Sequence, residues 1–484
     1  MKEATRSKRA RGEWSRWGLA AVVVVLLCVV VVWQKPVQAG GALLVGGPTL
    51  GSAGVAYVWS TTAAVSYHTD LGTLGSLNTA AADGVVRDSF DVWQNVTTAS
   101  ISFSRTGNLG VDVVGGASDP SATPPKVNHE EFFDAFINGC SAPVAPSPTT
   151  AVNAIVYDTD GTITEDILGA GQENEVIGFA GAVCLTSTAP NRITRGRAVL
   201  NGKFQDGAGS PTDLSPNQFE QVFTHEFGHL IGLDHSQINN EVSNQAPGDR
   251  TDDDLFGLPL MFPALLSGSP ARVDNGFLPL APDDEAWVSF LYPQTSGGTT
   301  FNGTFGRIEG RVFAASQTPI QGVNVLARLE DDAGTVGVDE SRRFAYSSTS
   351  GYRFTGNPGQ SVTGTNTGGS DFGSRDPTLI GFYAIPVKAG TYSVQAEAID
   401  PEWVDGSRVG PLGGDAGEQF PPPGTIPAAT APFAVAAGGV VTRNITLGNT
   451  PPRFDDFETA RLEWREPAPA WLRERRPPAF QVAG

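Results

Sequence analysis

The chain has 484 residues, a formal net charge of −19, 17% charged residues, 58 glycines and 35 prolines. That length sets two folded units as the starting expectation, and so much glycine and proline suits short strands joined by many turns. The first 39 residues hold seven Lys/Arg against two Asp/Glu. The rest is therefore more acidic still, which excludes nucleic acid as a partner because phosphates would be repelled.

Lys2, Lys8, Arg9, Arg11 and Arg16 precede an uninterrupted apolar run over 19–33, closed by Pro36 and by Val37-Gln38-Ala39. The run is shorter than the roughly 20 residues of a spanning helix. Residues 1–39 therefore read as a signal peptide cleaved after Ala39, and the mature chain as secreted. Left uncleaved, 19–33 would be a membrane anchor, the one case in which a membrane is a partner. Cys28 leaves with the signal, so Cys140 and Cys184 remain as candidates for one disulfide or for two free thiols.

A first domain is expected over 50–295. Strand patterns lie at 64–69, 101–104, 111–114, 152–157 and 197–200. A helix is predicted over 78–95 from apolar Ala81, Val85, Val86, Phe90 and Trp93 near helical spacing. Another runs over 219–230, opened by Ser215-Pro216 as cap and first-turn proline, and a third over 283–291. This order is an α/β arrangement. A Ser/Gly/Thr-rich linker spans 296–305. Beyond it, β-rich runs at 306–314, 323–329, 381–387, 390–398 and 440–447 predict an all-β sandwich over 306–450 with no helix. Residues 342–376, full of Gly, Ser and Thr, are expected as a surface excursion, and 451–484 as a disordered Pro/Arg/Glu tail.

Residues 225–236 read His-Glu-Phe-Gly-His-Leu-Ile-Gly-Leu-Asp-His-Ser. His225 and His229, four apart on a helix, project from one face onto one metal. Gly232 can take positive φ and turn the chain back, so that His235 supplies a third ligand. Three imidazoles leave one tetrahedral position open, which marks a catalytic zinc; a structural zinc would prefer four protein ligands. Zinc there would make water a nucleophile near neutral pH. Glu226 would take the water proton and pass it to the leaving amine. Three of the five histidines in the chain fall at these positions.

The run resembles the metzincin signature H-E-x-x-H-x-x-G-x-x-H. Metzincins also carry a methionine turn beneath the metal. Met261, the one methionine besides the initiator, lies in Pro259-Leu-Met-Phe-Pro263, which resembles the Met-turn of matrixins. Ser236 after the third histidine is matrixin-like; astacins would show Glu there and adamalysins Asp. Phe262 stands near where astacins and serralysins place a tyrosine ligand. The stretch 280–292 looks like the last helix of matrixin catalytic domains, and its Asp283–Asp284 pair is expected to brace the Met-turn or simply to start a helix in solvent. Covering about 55–293, the resemblance implies a metzincin α/β (α+β) catalytic domain with a mixed sheet and an active-site helix. It also implies that Phe262, Pro263 and Leu265 line the S1′ pocket. The cysteine motif that keeps animal matrixins latent is missing. Residues 306–312, 319–325, 381–385 and 390–394 resemble a carboxypeptidase regulatory-like β-sandwich.

Asp158, Asp160 and Asp166 sit in a carboxylate-rich loop that is either a calcium site or an ordinary acidic turn. Asp249, Asp252, Asp253 and Asp254 form a second, weaker calcium candidate or else a solvated loop. Together these features predict a secreted zinc metalloendopeptidase, monomeric, acting on proteins or peptides. The alternative is an extracellular adhesin that uses the same fold as a scaffold.

Overall fold

The structure, a computed structural model, describes residues 40–47, 50–138, 153–330, 335, 337–354, 373–374, 376–397, 426–448 and 481–483. The expected signal peptide, Cys140 and most of the expected tail lie outside them. The described residues belong to one compact unit. Among them, no helix is long and apolar enough to cross a membrane.

The first half runs β1 (Val65–Thr69), α1 (Thr79–Gln94), β2 (Phe103–Asn108), β3 (Asp112–Val114), β4 (Lys126–Asn128), α2 (His129–Asn138), β5 (Asn153–Asp158) and α3 (Thr162–Leu168). It continues through β6 (Gly178–Leu185), β7 (Ile193–Asn201), α4 (Pro216–Leu230), α5 (Asp252–Gly257), β8 (Ala264–Leu266) and α6 (Pro282–Leu291). Five strands form a mixed sheet in the order β2-β1-β5-β7-β6, with β6 alone antiparallel to its neighbour. β5 is buried along its whole length, as a central strand covered on both faces must be. Its Ile155 and Tyr157 enter a core with α1 and α4; its Ala154 and Val156 enter a second core with Phe132, Phe133 and Ile163 of α2 and α3. The fold is therefore mixed α and β, as the sequence predicts. The 3.6-residue period missed α2, and β6 escaped because Gly178-Phe-Ala-Gly-Ala-Val does not alternate.

α4 begins at a capping box: Ser215 accepts from the Gln218 amide while the Gln218 side chain serves the Ser215 amide, and Pro216 stands in the first turn. Phe219, Phe223, Phe227 and Leu230 form its buried face. Phe227 stacks on Phe90 of α1 with centroids 3.9 Å apart.

The second half holds α7 (Phe301–Thr304), β9 (Phe305–Phe313), β10 (Asn324–Leu329), α8 (Glu340–Arg343), β11 (Ala345–Thr349), β12 (Phe382–Lys388), β13 (Gly390–Glu397), β14 (Phe433–Val435), β15 (Val440–Thr442) and β16 (Ile445–Thr446), and β17 (Gln481–Ala483) closes the chain. One sheet runs β11-β10-β13-β14; the other runs β12-β9-β15, with β16 also on β9. Their inward residues, among them Ile308, Val325, Tyr383, Val394 and Val435, share one hydrophobic cluster. α6 is the joint between the halves, for Trp287 and Val288 enter the first core while Ala286 enters that cluster.

Five expectations need correction. Residues 345–349, placed in a surface excursion, form the fully buried β11, because the strand is covered on both faces: Tyr346 enters the cluster between the two sheets, while Ala345 packs with Ile238 and Ser347 meets Ser236. The one-turn helix α8 interrupts the expected all-β sandwich, and a second, α7, lies within the expected linker. Residues 481–483, assigned to a disordered tail, pair in parallel with β8 as β17. The acidic loop is not simply solvated: Asp254 caps α5 by accepting from Thr251 at 3.0 Å and pairs with Arg342, while Asp253 pairs with Arg343. The core also takes in Ala42 to Val45, ahead of the expected boundary at residue 50.

Phe227→Ala should remove about 3–5 kcal/mol from the unfolding free energy, since a stacked, fully buried ring is lost. Denaturant unfolding reads this; a loss below about 1 kcal/mol would show that the Phe90 stack does not seat α4.

Candidate metal centre

α4 presents His225 and His229 one turn apart, and both are buried. The helix then ends at a reversal. Gly232 has φ +87, its amide bonds to His229 O at 2.9 Å, and Leu233 N bonds to Gly228 O at 2.9 Å. That left-handed turn needs glycine, and it swings His235 back over the helix. The ligand nitrogens of His225, His229 and His235 lie within 4.8 Å of one another, so the three could hold a metal ion.

The rings are aimed by backbone carbonyls. His225 Nδ1 lies 2.7 Å from Leu260 O, and His229 Nδ1 lies 2.9 Å from Leu233 O. A carbonyl oxygen only accepts, so each Nδ1 carries the proton and each Nε2 keeps a lone pair for a metal. His229 Nε2 and His235 Nε2 face each other at 3.1 Å. Burial lowers the His225 pKa to about 4 and holds His229 and His235 well below the ordinary imidazole value, with the neighbouring rings adding to the effect in those two. All three are neutral at physiological pH, the state in which imidazole binds metal.

Glu226 is fully buried beside this triad, with the Ala180 amide of β6 as a polar neighbour. Burial raises its pKa well above the usual carboxylate value, and the Ala180 amide works against that shift. β6 passes close by: a Cβ on Gly178 would lie 3.3 Å from Glu226 Cγ. A cleft opens on His225 and Glu226, walled by Val222, Leu260, Phe262, Pro263, Ala264 and Leu265. The structure thus brings Phe262, Pro263 and Leu265 together beside Glu226.

Met261 is buried beneath α4, and a side chain at Gly228 would collide with its Sδ. The Asp284 carboxylate holds this turn from below. It accepts from Leu260 N at 2.7 Å, Met261 N at 3.0 Å and Ala281 N at 2.8 Å. Asp284 therefore braces the methionine turn, and neither aspartate of the pair is solvated. Asp283 faces the other way and accepts from Ser347 N of β11 at 2.9 Å. Burial raises both carboxyl pKa values, and the hydrogen bonds pull them back.

Several supports carry no signal in the sequence. Trp59 Nε1 donates to Leu230 O at 2.9 Å, and Tyr292 Oη donates to Ile231 O at 2.6 Å, so the last carbonyls of α4 are satisfied. Trp93 Nε1 donates to Thr224 O at 2.7 Å. The segment from Gly40 runs along the reversal, with Leu43 N on Gly232 O at 2.8 Å and Asp234 N on Gly41 O at 3.1 Å.

The candidate calcium residues do not converge. Both oxygens of Asp158 turn to the start of α3, accepting from Ile163 N at 3.1 Å and Thr164 N at 2.8 Å. Asp160 accepts from Thr162, and Asp166 is exposed. Among the described residues, the histidine triad is the one group of three potential ligands close enough to share a metal. Cys184 is disulfide-bonded; its expected partner Cys140 lies outside the described residues.

No protein-family model matches this chain, and no curated protein matches it.

A metal bound only by the folded triad must stabilise it. Zinc at about 100 times its Kd should add about 2.7 kcal/mol to the unfolding free energy of chelator-stripped protein. His229→Ala should abolish the gain. A variant that melts with the same zinc-dependent shift would remove His229 from the ligand set.

Proposed function

We propose that the chain is a secreted, matrixin-like zinc metalloendopeptidase of the metzincin type. The observation that carries this reading is the convergence of three neutral imidazoles beside one buried carboxylate at the head of a cleft. The donor set fits zinc. A tetrahedral ion with Zn–N distances of about 2.0–2.1 Å places two ligand nitrogens about 3.4 Å apart, close to the 3.1 Å between His229 Nε2 and His235 Nε2. Nitrogen ligands with no thiolate suit zinc over softer metals, and three rather than four suit a catalytic site.

Zinc held there supplies Lewis acidity that polarises water and the scissile carbonyl. His225, His229 and His235 would fix its position, the first two through the carbonyls that orient them. Glu226 takes one proton from water as the oxygen adds to the carbonyl carbon. It then delivers that proton to the amide nitrogen as the C–N bond breaks; the proton left on the new carboxyl passes to the amine, giving a carboxylate and an ammonium group. The cleft wall of Phe262, Pro263 and Leu265 offers an apolar seat to the substrate side chain next to the cut bond. The edge of β8 takes an extended segment, here residues 481–483 of the same chain, so a peptide backbone fits alongside that wall.

Glu226→Gln keeps size and fold and removes the base. Zinc content and melting temperature should stay, and turnover of a peptide library should fall by at least about a hundredfold, or 3 kcal/mol of barrier. Unchanged turnover with zinc in place would mean that Glu226 is not the base. A zinc-loaded parent that cleaves nothing would favour the adhesin reading.

A further inference from the structure

The four residues after the third histidine, Ser236 to Asn239, are all buried. What buries them is the C-terminal half of the chain. Ser236 Oγ meets Ser347 Oγ of β11 at 3.0 Å. Ile238 forms a closed apolar cluster with Leu326 of β10 and Ala345 of β11. Asn239, at φ +56, accepts from Arg328 of β10 at 2.9 Å and donates to Arg342 O at 3.1 Å. A non-glycine residue held at positive φ is kept there by its surroundings, and here β10 and α8 provide the partners.

Ser347 reaches the site along two routes. Through its hydroxyl it meets Ser236, whose own amide bonds to Met261 O at 2.9 Å and whose neighbour is the ligand His235. Through its amide it holds Asp283, beside the Asp284 that carries Leu260 and so the carbonyl orienting His225. Its carbonyl accepts from Trp287 Nε1 at 2.8 Å. Every polar group of a fully buried serine is thus spent on residues of the first half.

We infer that the C-terminal sheets are a working part of the metal site: β10 and β11 clamp the loop that carries His235, with Ser347 and Arg328 as positioning residues. The half that contributes no metal ligand would then set the geometry of one ligand directly and of a second through the aspartate pair. This rests on the triad as a metal site, and not on peptide cleavage.

The test uses the full chain with cobalt(II) as a spectroscopic probe, whose visible d–d bands report ligand geometry. Ser347→Ala removes the hydroxyl contact and keeps the amide on Asp283. Arg328→Met removes the Asn239 contact and keeps much of the bulk. Val394→Ala, in the cluster between the two C-terminal sheets, is the control for lost stability alone. Ser347→Ala and Arg328→Met should each shift the cobalt bands and weaken metal affinity, read by chelator competition, by about tenfold. Val394→Ala should lower the melting temperature and leave bands and affinity at parent values. Parent-like bands and affinity in folded Ser347→Ala and Arg328→Met would overturn the inference. So would a control that moves them as far as the two variants do. If Ser347→Ala does not fold, Arg328→Met decides in the same way. A parent that binds no cobalt would overturn the triad itself, an outcome distinct from failure of the clamp.

Discussion

Everything around the site serves the direction of a lone pair. An imidazole binds a metal through one nitrogen, and which one is settled by what the other nitrogen touches. In this chain Leu260 O and Leu233 O touch the Nδ1 atoms of His225 and His229. Carbonyls cannot move independently of their peptide planes, so the site is only as rigid as the two turns that bear them. One turn is fixed by Gly232 and the backbone running back from Gly40; the other hangs on the Asp284 carboxylate.

Such a support is expensive to bury. A carboxylate withdrawn from water is tolerated only when donors replace the solvent it has lost. Asp284 receives three backbone amides, and Asp283 receives Ser347 N. Those amides would otherwise be buried without acceptors themselves. The two carboxylates and the turn they hold therefore need one another, and this joins α6, the methionine turn and β11 into one network. Glu226 differs from this pair: it is fully buried beside the histidine triad without such a set of backbone amides around it.

Local chemistry was legible in the sequence, and long-range partnership was not. The spacing of His225, His229, Gly232 and His235 depends on one helix and one turn, so it could be read from a few neighbouring residues. The cap at Ser215 followed for the same reason; a brace from the Asp283–Asp284 pair was expected only through the family resemblance, and Asp284 alone supplies it. By contrast, Trp59 and Tyr292 act on carbonyls far away in sequence, and nothing in their own neighbourhoods announces it. β11 was misplaced because Ala-Tyr-Ser-Ser-Thr has the composition of a loop; only the cover it receives on both faces, from the cluster around Tyr346 and from Ser236 and Ile238, makes it a buried strand. Asp158 misled in the other direction, for a cap and a cation ligand draw on the same oxygens.

The stretch 295–299 is exposed and is the natural place for a protease to cut. A cut there would break a covalent connection that the structure does not rely on. The halves also meet through Trp287 and Ser347, through Arg342 and Arg343 with the α5 aspartates, and through the shared cluster around Ala286. Nicked protein would therefore show two bands on a denaturing gel and still travel as one particle in gel filtration, so that the visible seam in the chain is not the seam along which the molecule comes apart.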